Sequence, residues 1–226
     1  MFHFAQANGN PQCYPNYPFR PDGSKRPPAG AEDWPHISTC KQASLSARGW
    51  GPAMPVYYNV RNCPNTSGRG EGGTEIRVSY NLFYEKDGFR GSSNSHDYDW
   101  ERVIVIWRKY GLYLYKDEIL LSNHKGYKRI AGWESIPQTV DAGNWFEISG
   151  KNKDHAKVYV GWCKHAMFFE KRTKDSTIVA CLGDTEMRSD DWYFVADQSK
   201  SILLLANDWG NAWSQPDRVY DSLCSQ

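Results

Sequence analysis

The feature of this sequence that most restricts its fold is a series of short segments rich in Val, Ile and aromatic residues, separated by turn residues. Each segment has the length of a strand or hairpin, and no long helical pattern alternates with them, which disfavours a parallel doubly wound sheet. The pattern predicts a mainly β protein with an antiparallel β-sandwich. The predicted strand regions are TEIRVSYNLFYEK (74–86), ERVIVIWRKYGLYLY (101–115), EILLS (118–122), KVYVGWCKHAMFF (157–169) and STIVACL (176–182).

Two regions outside these segments have other predicted structures. Residues 13–51 are rich in Pro, Gly and Ser, which cannot sustain a long regular element, so a wrapping arm is expected there. Near the end of the chain, Asp197 can cap a helix that stops before Gly210. The apolar stripe of this peripheral helix would consist of Ile202, Leu203 and Ala206.

Length and composition exclude several classes of protein. The 226 residues are expected to form one domain, 1–226, with 1–12 disordered or a cloning remnant. A formal net charge of +1 provides no broad positive field for nucleic acid. Apolar runs stay well below the roughly 20 residues of a transmembrane helix, so any membrane contact is expected to be peripheral. The protein is expected to be a monomer.

Cysteine usage favours an oxidising compartment. The six cysteines form no CxxC pair, which favours disulfides over a zinc site. A Cys13–Cys40 bridge would close the arm into a loop, whereas the pairing of the other four, Cys63, Cys163, Cys181 and Cys224, stays open. Asn65 begins an Asn-Thr-Ser glycosylation sequon, which agrees with secretion to the extracellular space. The alternative is a cytosolic protein with reduced cysteines.

A loop of small polar residues leads into the strand that starts near Asp99. Period-two geometry places Asp99 and Glu101 on one strand face, about 6–7 Å apart, where their negative charges repel. His96 could fold back from the loop, and Asp87 could add another oxygen. This set of three carboxylates and one imidazole suits Mg²⁺ or Ca²⁺. The alternative is ion pairing of Asp99 and Glu101 with Arg90, Arg102 or Lys86.

Four further residues near the predicted strands are considered as ligand contacts. His165 lies within an apolar run, where a histidine is usually a hydrogen-bonded core residue. Asp154 and His155 close a polar loop, and His124 lies in another. Loop positions suit ligand binding, although solvated turns are equally compatible with these residues.

Several motifs of this chain resemble those of the necrosis- and ethylene-inducing-peptide-like family. SHDYDWE (95–101) looks like the family heptapeptide GHRHDWE, with Ser95 for the first Gly and Asp97-Tyr98 for the Arg-His pair. LFYEKD (82–87), DHAKVYVGWCKHAMF (154–168) and NDWGNA (207–212) resemble further family blocks in the same order. Asp97 places a negative charge where the family has a positive one, which is expected to alter lipid-head affinity and toxicity and indicates a divergent or non-toxic member.

The resemblance implies a fold, a site and a function. The fold is a β-sandwich with peripheral helices, similar to actinoporins and some lectins. The divalent-metal ligands implied are Asp87, His96, Asp99 and Glu101, while Asp154, His155 and His124 would help to receive the sugar head group of a plant sphingolipid. Together these expectations describe a secreted metal-dependent cytolysin or elicitor from a plant-associated microbe.

Membrane contact and two alternative functions complete the predictions. Trp133 and Trp145, in a loop-like segment, are candidates for insertion at the lipid headgroup boundary, although ordinary edge packing is equally compatible. The first alternative function is a non-cytotoxic, lectin-like binding or signalling protein. The second is a metal-dependent hydrolase, but the sequence contains no G-x-S-x-G, HExxH or phosphate-cradling motif, so the protein is expected not to be an enzyme.

Overall fold

The computed structural model of the protein is mainly β. It describes residues 3–6, 15–29, 54–88, 96–123, 125–140, 155–161, 164–171, 188, 193–201, 207–210, 212, 215 and 222–226. Within these residues the strands are β1 (His3–Gln6), β2 (Met54–Pro64), β3 (Glu71–Tyr84), β4 (Asp99–Tyr110), β5 (Tyr113–Asn123), β6 (Gly126–Ala131), β7 (Thr139–Val140), β8 (His155–Val160), β9 (Met167–Phe168) and β10 (Tyr193–Ser201). Single 3₁₀ turns occupy Trp133–Ser135 and Leu223–Ser225.

The strands form one continuous hydrogen-bonded path in the order β6-β5-β4-β3-β2-β10-β1-β8-β7, with β9 paired to β8. The central part, β2 to β6, is an antiparallel meander in which neighbours in sequence are neighbours in the sheet. Two pairings are parallel, β10 with β2 and β1 with β8. The predicted antiparallel class is therefore confirmed for most of the sheet.

The path folds over into two packed layers. The main core cluster joins side chains of the meander to those of β8 and β9, and β9 contacts β4 and β5 although its hydrogen bonds go to β8. Packing of one sheet face on another in this way makes a β-sandwich. Its buried members include Val56, Leu82, Val103, Val105, Ile119 and Leu121 from the meander, with Ala156, Val158, Val160 and Met167 opposite.

The C-terminal segment covers the other face of the meander. Leu223 packs in a cluster with Ile104, Ile106 and Leu120, and a disulfide joins Cys224 to Cys63 of β2. The Nη1 group of Arg77 on β3 donates to the backbone oxygens of Leu223 and Gln226 at 3.0 and 2.7 Å. β4, at the centre of the meander, is thus buried on both faces along most of its length. Among the described residues, no helix is long and apolar enough to cross a bilayer.

The structure differs from the sequence predictions at both ends of the chain. Asp197 lies inside β10 rather than at a helix N-cap, so the predicted helix is wrong where it overlaps residues 197–201. Its apolar residues 202–206 fall outside the described part. Residues 3–6, part of the segment expected to be disordered or a cloning remnant, form β1 between β8 and β10. The sequence patterns also missed β2 and β6, while the predicted strand 176–182 and both Cys13 and Cys40 lie outside the described residues.

Candidate metal centre

The candidate site lies where β3 ends and β4 begins. The antiparallel register places Asp99 opposite Tyr84, and Glu101 opposite Leu82. Asp99 and Glu101 are both buried on the strand face that continues into Val103 and the main core, as period-two geometry predicts. The opposite face begins with Trp100. Two carboxylates therefore stand side by side in a region from which water is largely removed.

A short bridge just beyond these strand ends brings in Asp87 and His96. Their backbones form an antiparallel pair, with N–H to O distances of 2.9 and 3.3 Å. The Nε2 atom of His96 lies 3.3 Å from Oδ2 of Asp87, and Nδ1 contacts the backbone oxygen of Tyr98. The bridge thereby fixes the His96 ring against Asp87, at the open end of the β3–β4 pair.

His165 reaches the same place from the turn between β8 and β9. Its backbone has φ of 57°, and Gly161 N donates to Ala166 O at 2.8 Å across the base of the turn. The imidazole stacks on Tyr84 with 3.8 Å between ring centroids and 6° between planes. Its Nδ1 lies 3.1 Å from Oδ2 of Asp99. Burial lowers the pKa of His165, while the contact with Asp99 opposes that effect.

Asp87, Asp99 and His165 form a compact donor set. One ligand atom from each lies within 4.8 Å of the other two, and all three side chains are buried. Two carboxylates and a neutral imidazole provide lone pairs for a divalent cation, whose charge would offset the repulsion between the acids. This buried Asp-Asp-His group could hold a metal ion.

Glu101 is a third acidic residue beside this donor set. Burial raises the pKa of Glu101 well above its ordinary range, and the nearby negative charges of Asp99 and Asp87 raise it further. The hydroxyl of Ser122 on β5 donates to its carboxylate, which opposes that rise. Glu101 is therefore held towards β5 and senses both acids of the donor set electrostatically.

An aromatic cluster supports the site from the opposite face of β4. Phe83, Tyr98, Trp100 and Trp209 pack together with ring centroids 5.1–5.9 Å apart where they meet. The hydroxyl of Tyr98 donates to the backbone oxygen of Arg26 in the arm at 3.0 Å. Because Tyr98 follows His96 by two residues, this packing fixes the loop that carries His96.

Comparison with known proteins gives distant structural similarities only. No family model and no curated protein matches the chain. The crystal structure of the non-toxic HaNLP3 protein is 17% identical over 93% of this chain and 79% of that one, with a TM-score of 0.47. NLPPya in complex with mannosamine is 17% identical over 93% of this chain and 78% of that one, with a TM-score of 0.45. Necrosis and Ethylene inducing Protein 2 from the causal agent of cocoa's Witches Broom disease is 16% identical over 82% of this chain and 74% of that one, with a TM-score of 0.42.

These similarities carry no argument about function, because identities of 16–17% accompany TM-scores below 0.5. Family membership therefore stays a prediction from the motifs of this chain.

The structure brings together some of the predicted ligands and adds one. Asp87 and Asp99 belong to the compact group, and His96 and Glu101 lie beside it, so their direct ligation stays a prediction. His165, expected to be a core histidine, is buried and hydrogen-bonded but also supplies the third donor. The missed signal was its place in the KHA block that follows β8.

The predicted ligand-contacting and membrane-contacting residues are less concentrated. His155 begins β8 opposite Val140, at the far end of the strand from the turn that carries His165. His124, Asp154 and Trp145 lie outside the described residues. Trp133 is 7% exposed within the main core, with the Lys116 ammonium 4.7 Å from its ring centroid. This burial agrees with the packing alternative for Trp133, and its insertion at the lipid headgroup boundary stays a prediction.

The sequon residue Asn65 organises the β2–β3 turn. Its Nδ2 donates to the backbone oxygens of Arg69 and Gly72 at 2.7 and 3.4 Å, and its Oδ1 accepts from Ser67. A glycan on Nδ2 would replace one of those N–H groups. Glycosylation of Asn65 stays a prediction.

Proposed function

We propose that this protein is a secreted, metal-dependent cytolysin or elicitor that binds the sugar head group of a plant sphingolipid at the outer plasma membrane. The observation that carries the proposal is the buried Asp87–Asp99–His165 group, whose three ligand atoms lie within 4.8 Å of one another. The motif resemblance around the same residues supplies the substrate class. The Cys63–Cys224 disulfide is typical of an oxidising compartment and supports secretion.

The proposed cofactor is Mg²⁺ or Ca²⁺, held by Asp87, Asp99 and His165 with His96 and Glu101 as additional ligands. Carboxylate oxygens predominate in this set, and hard cations prefer them. When bound, such a cation would supply positive charge and coordination positions for hydroxyl or phosphate oxygens of a head group. The protein's part is to gather the acids at one strand end and to keep the imidazole oriented by its stack on Tyr84.

The proposed role is binding, without turnover. The sequence contains no recognised nucleophile motif, and a bound metal alone does not establish catalysis. A non-cytotoxic lectin-like role uses the same metal and head-group contacts but no membrane damage. Binding of metal and glycan without leakage would therefore replace the cytolysin by this alternative.

The first experiment measures metal binding by calorimetry with Mg²⁺ and with Ca²⁺. The native protein is compared with Asp99→Asn, which removes a charged ligand, and with Asp97→Asn, which makes the same change at an exposed position two residues away. We expect Asp99→Asn to weaken binding at least about tenfold, and Asp97→Asn to retain it within about threefold. Equal binding by all three proteins would refute the assignment of the site.

The second experiment measures dye leakage from vesicles that contain plant glycosyl sphingolipid. Native protein with metal should release the dye, whereas Asp99→Asn or chelation should abolish release. Leakage that ignores both changes would reject the metal-dependent mechanism. Metal-dependent hydrolysis of phosphodiester or glycoside panels at catalytic ratios would instead overturn the non-enzymatic role.

A further inference from the structure

The β4–β5 hairpin ends in a concentration of exposed apolar side chains. In the described part of the chain, seven large hydrophobic residues are exposed, and five of them lie between Lys109 and Lys116. We name residues 109–116 the hairpin tip. Leu112 at its apex is 90% exposed, and the others are Tyr110, Tyr113, Leu114 and Tyr115. A contiguous exposed patch of this kind usually marks a surface that meets a partner.

Hydrogen bonds and ion pairs order the base of the hairpin tip. The exposure of its apolar side chains is therefore a property of the folded structure. The Tyr110 hydroxyl donates to Oδ1 of Asp117 at 3.2 Å. The Arg108 guanidinium is buried between Glu75 on β3 and Asp117 on β5. Tyr115 lies edge-on to both other tyrosines of the tip, with centroids 6.1 and 6.3 Å apart. These contacts order the tip without covering it.

Apolar side chains project from both faces of the hairpin tip as well as from its apex. Tyr110 pairs with Tyr113 across the hairpin, and Tyr115 shares the face of Tyr113 because alternate residues of a strand point the same way. Leu114 therefore points to the other face, and Leu112 occupies the two-residue turn. A folded protein partner would cover one face of the hairpin tip, whereas a lipid headgroup layer can surround a projecting hairpin on all sides. The shape therefore favours a bilayer.

The charge of the hairpin tip suits a phospholipid surface. Residues 109–116 contain two lysines and no acidic residue, although Glu71 lies opposite Lys109 in the sheet register and the Lys116 ammonium lies over the Trp133 ring. Tyrosine rings favour the headgroup boundary, where the ring is apolar and the hydroxyl stays hydrated. Lysine ammonium groups favour the phosphates at the same depth.

The backbone of the hairpin tip limits how deeply it could enter. The sheet register pairs β6 with β5 from Glu118 onward, so β6 does not run alongside Tyr113–Tyr115. Backbone at a sheet edge of this kind stays in contact with water or lipid head groups. Contact is therefore expected at the headgroup layer, within about 5–10 Å of the surface.

We propose that the hairpin tip is a peripheral phospholipid-binding element, separate from the metal centre. Asp99 and Tyr110 occupy opposite ends of β4, and eleven residue steps of extended chain span about 36 Å. The tip therefore contacts lipid without help from the candidate metal ligands. The lipids that it binds are recognised by their phosphate groups and acyl chains rather than by a sugar head group.

The experiment is vesicle co-sedimentation in the presence of a chelator, with vesicles that contain no sphingolipid. Vesicles of phosphatidylcholine alone are compared with vesicles that also contain phosphatidylserine. Leu112→Asp places a charge at the apex, and Val60→Asp is the matched control, because Val60 is also exposed (51%) but lies on β2. Circular dichroism checks that each variant is folded.

We expect the native protein and Val60→Asp to bind, more strongly when phosphatidylserine is present, and Leu112→Asp to bind at least about tenfold more weakly. Absence of native binding to both kinds of vesicle, or equal binding by Leu112→Asp, would overturn the proposal. Self-association that Leu112→Asp abolishes in sedimentation velocity, without native vesicle binding, would assign the tip to a second copy of the chain instead. Chelation and the missing sphingolipid keep these outcomes independent of the metal-centre proposal.

Discussion

His165 joins a backbone constraint to a possible role as a ligand. Its φ of 57° places it in the left-handed region, which most residues other than Gly, Asn and Asp avoid. The ring then stacks on Tyr84 and points Nδ1 at Asp99. The surrounding fold has to hold this conformation, as is common at functional sites.

His165→Asn tests the ligand role with little backbone disturbance, because Asn tolerates positive φ. The variant should stay folded but lose the imidazole donor, so stabilisation by Mg²⁺ or Ca²⁺ should fall to near zero in thermal unfolding. His165→Val is the companion variant, since a β-branched residue at this φ should also destabilise the metal-free protein, by about 1–3 kcal/mol. Full metal stabilisation of His165→Asn would exclude this histidine from the centre.

The acids of the site could be predicted from sequence, but the third donor could not. Asp99 and Glu101 share a face because a strand has period two, and that property is local. His165 is 66 residues from Asp99 in the chain, and the two meet because β9 pairs with β8 and packs beneath β4. Such a contact depends on tertiary packing, which periodicity does not contain.

At the scale of elements, the β2–β3 turn lies tightly against β4. A Cβ on Gly70 would stand 2.8 Å from Cβ of Arg108 and 3.0 Å from the backbone oxygen of Lys109, and its φ is 71°. Gly72 has φ of 86° but open space around it, while Gly73 has neither constraint. Gly70 ends the turn and the other two glycines lie at the start of β3, so the three separate steric contact from backbone strain within one short segment.

Alanine substitutions at these three glycines should form a graded series in chemical denaturation. Gly73→Ala should change the free energy of unfolding by less than about 0.5 kcal/mol. Gly72→Ala should cost about 1 kcal/mol from backbone strain, and Gly70→Ala about 3 kcal/mol, because the contact with β4 adds to that strain. Similar losses for Gly70→Ala and Gly72→Ala would contradict the close approach to β4.

Strands with strong apolar–polar alternation could be predicted from the sequence, and strands that depend on long-range partners could not. β3, β4, β5, β8 and β9 overlap predicted strand segments, although two of these segments each contain parts of two strands, β4 with β5 and β8 with β9. β10 was missed because Ile202, Leu203 and Ala206, just beyond it, have helical spacing that outweighed the strand pattern. Its parallel partner β2 lies more than 100 residues earlier, so its stability comes from pairing rather than local propensity.

At the scale of the whole molecule, a buried ionic network joins the β2–β3 turn to β4 and β5. Arg69 donates to both carboxylate oxygens of Asp117, from Nε at 2.9 Å and from Nη2 at 2.6 Å. Arg108 contacts Glu75, Asp117 and Glu118. Hydrogen bonds from Arg69 lower the pKa of Asp117 from 3.8 to about 2; burial opposes this and Arg108 adds to it.

Acid should weaken the fold through Asp117 between about pH 4 and pH 2. In that interval the unfolded chain binds a proton at Asp117 that the folded protein does not, so stability falls as pH falls and is fully present above about pH 4. The loss should be on the order of 1–2 kcal/mol, since the exposed part of Arg69 is screened by solvent. Asp117→Asn, less stable at neutral pH, should lack this part of the pH dependence in urea titrations. An unchanged acid slope would contradict the role of Asp117.

The central claim of the account is that Asp87, Asp99 and His165 hold a divalent cation at the junction of β3, β4 and the β8–β9 turn. The most direct test is anomalous scattering from crystals soaked in Mn²⁺, a substitute for Mg²⁺ with a measurable signal. The account predicts a peak bounded by these three side chains in the native protein and no such peak in Asp99→Asn. A native crystal without that peak, or with manganese bound only elsewhere, would contradict it.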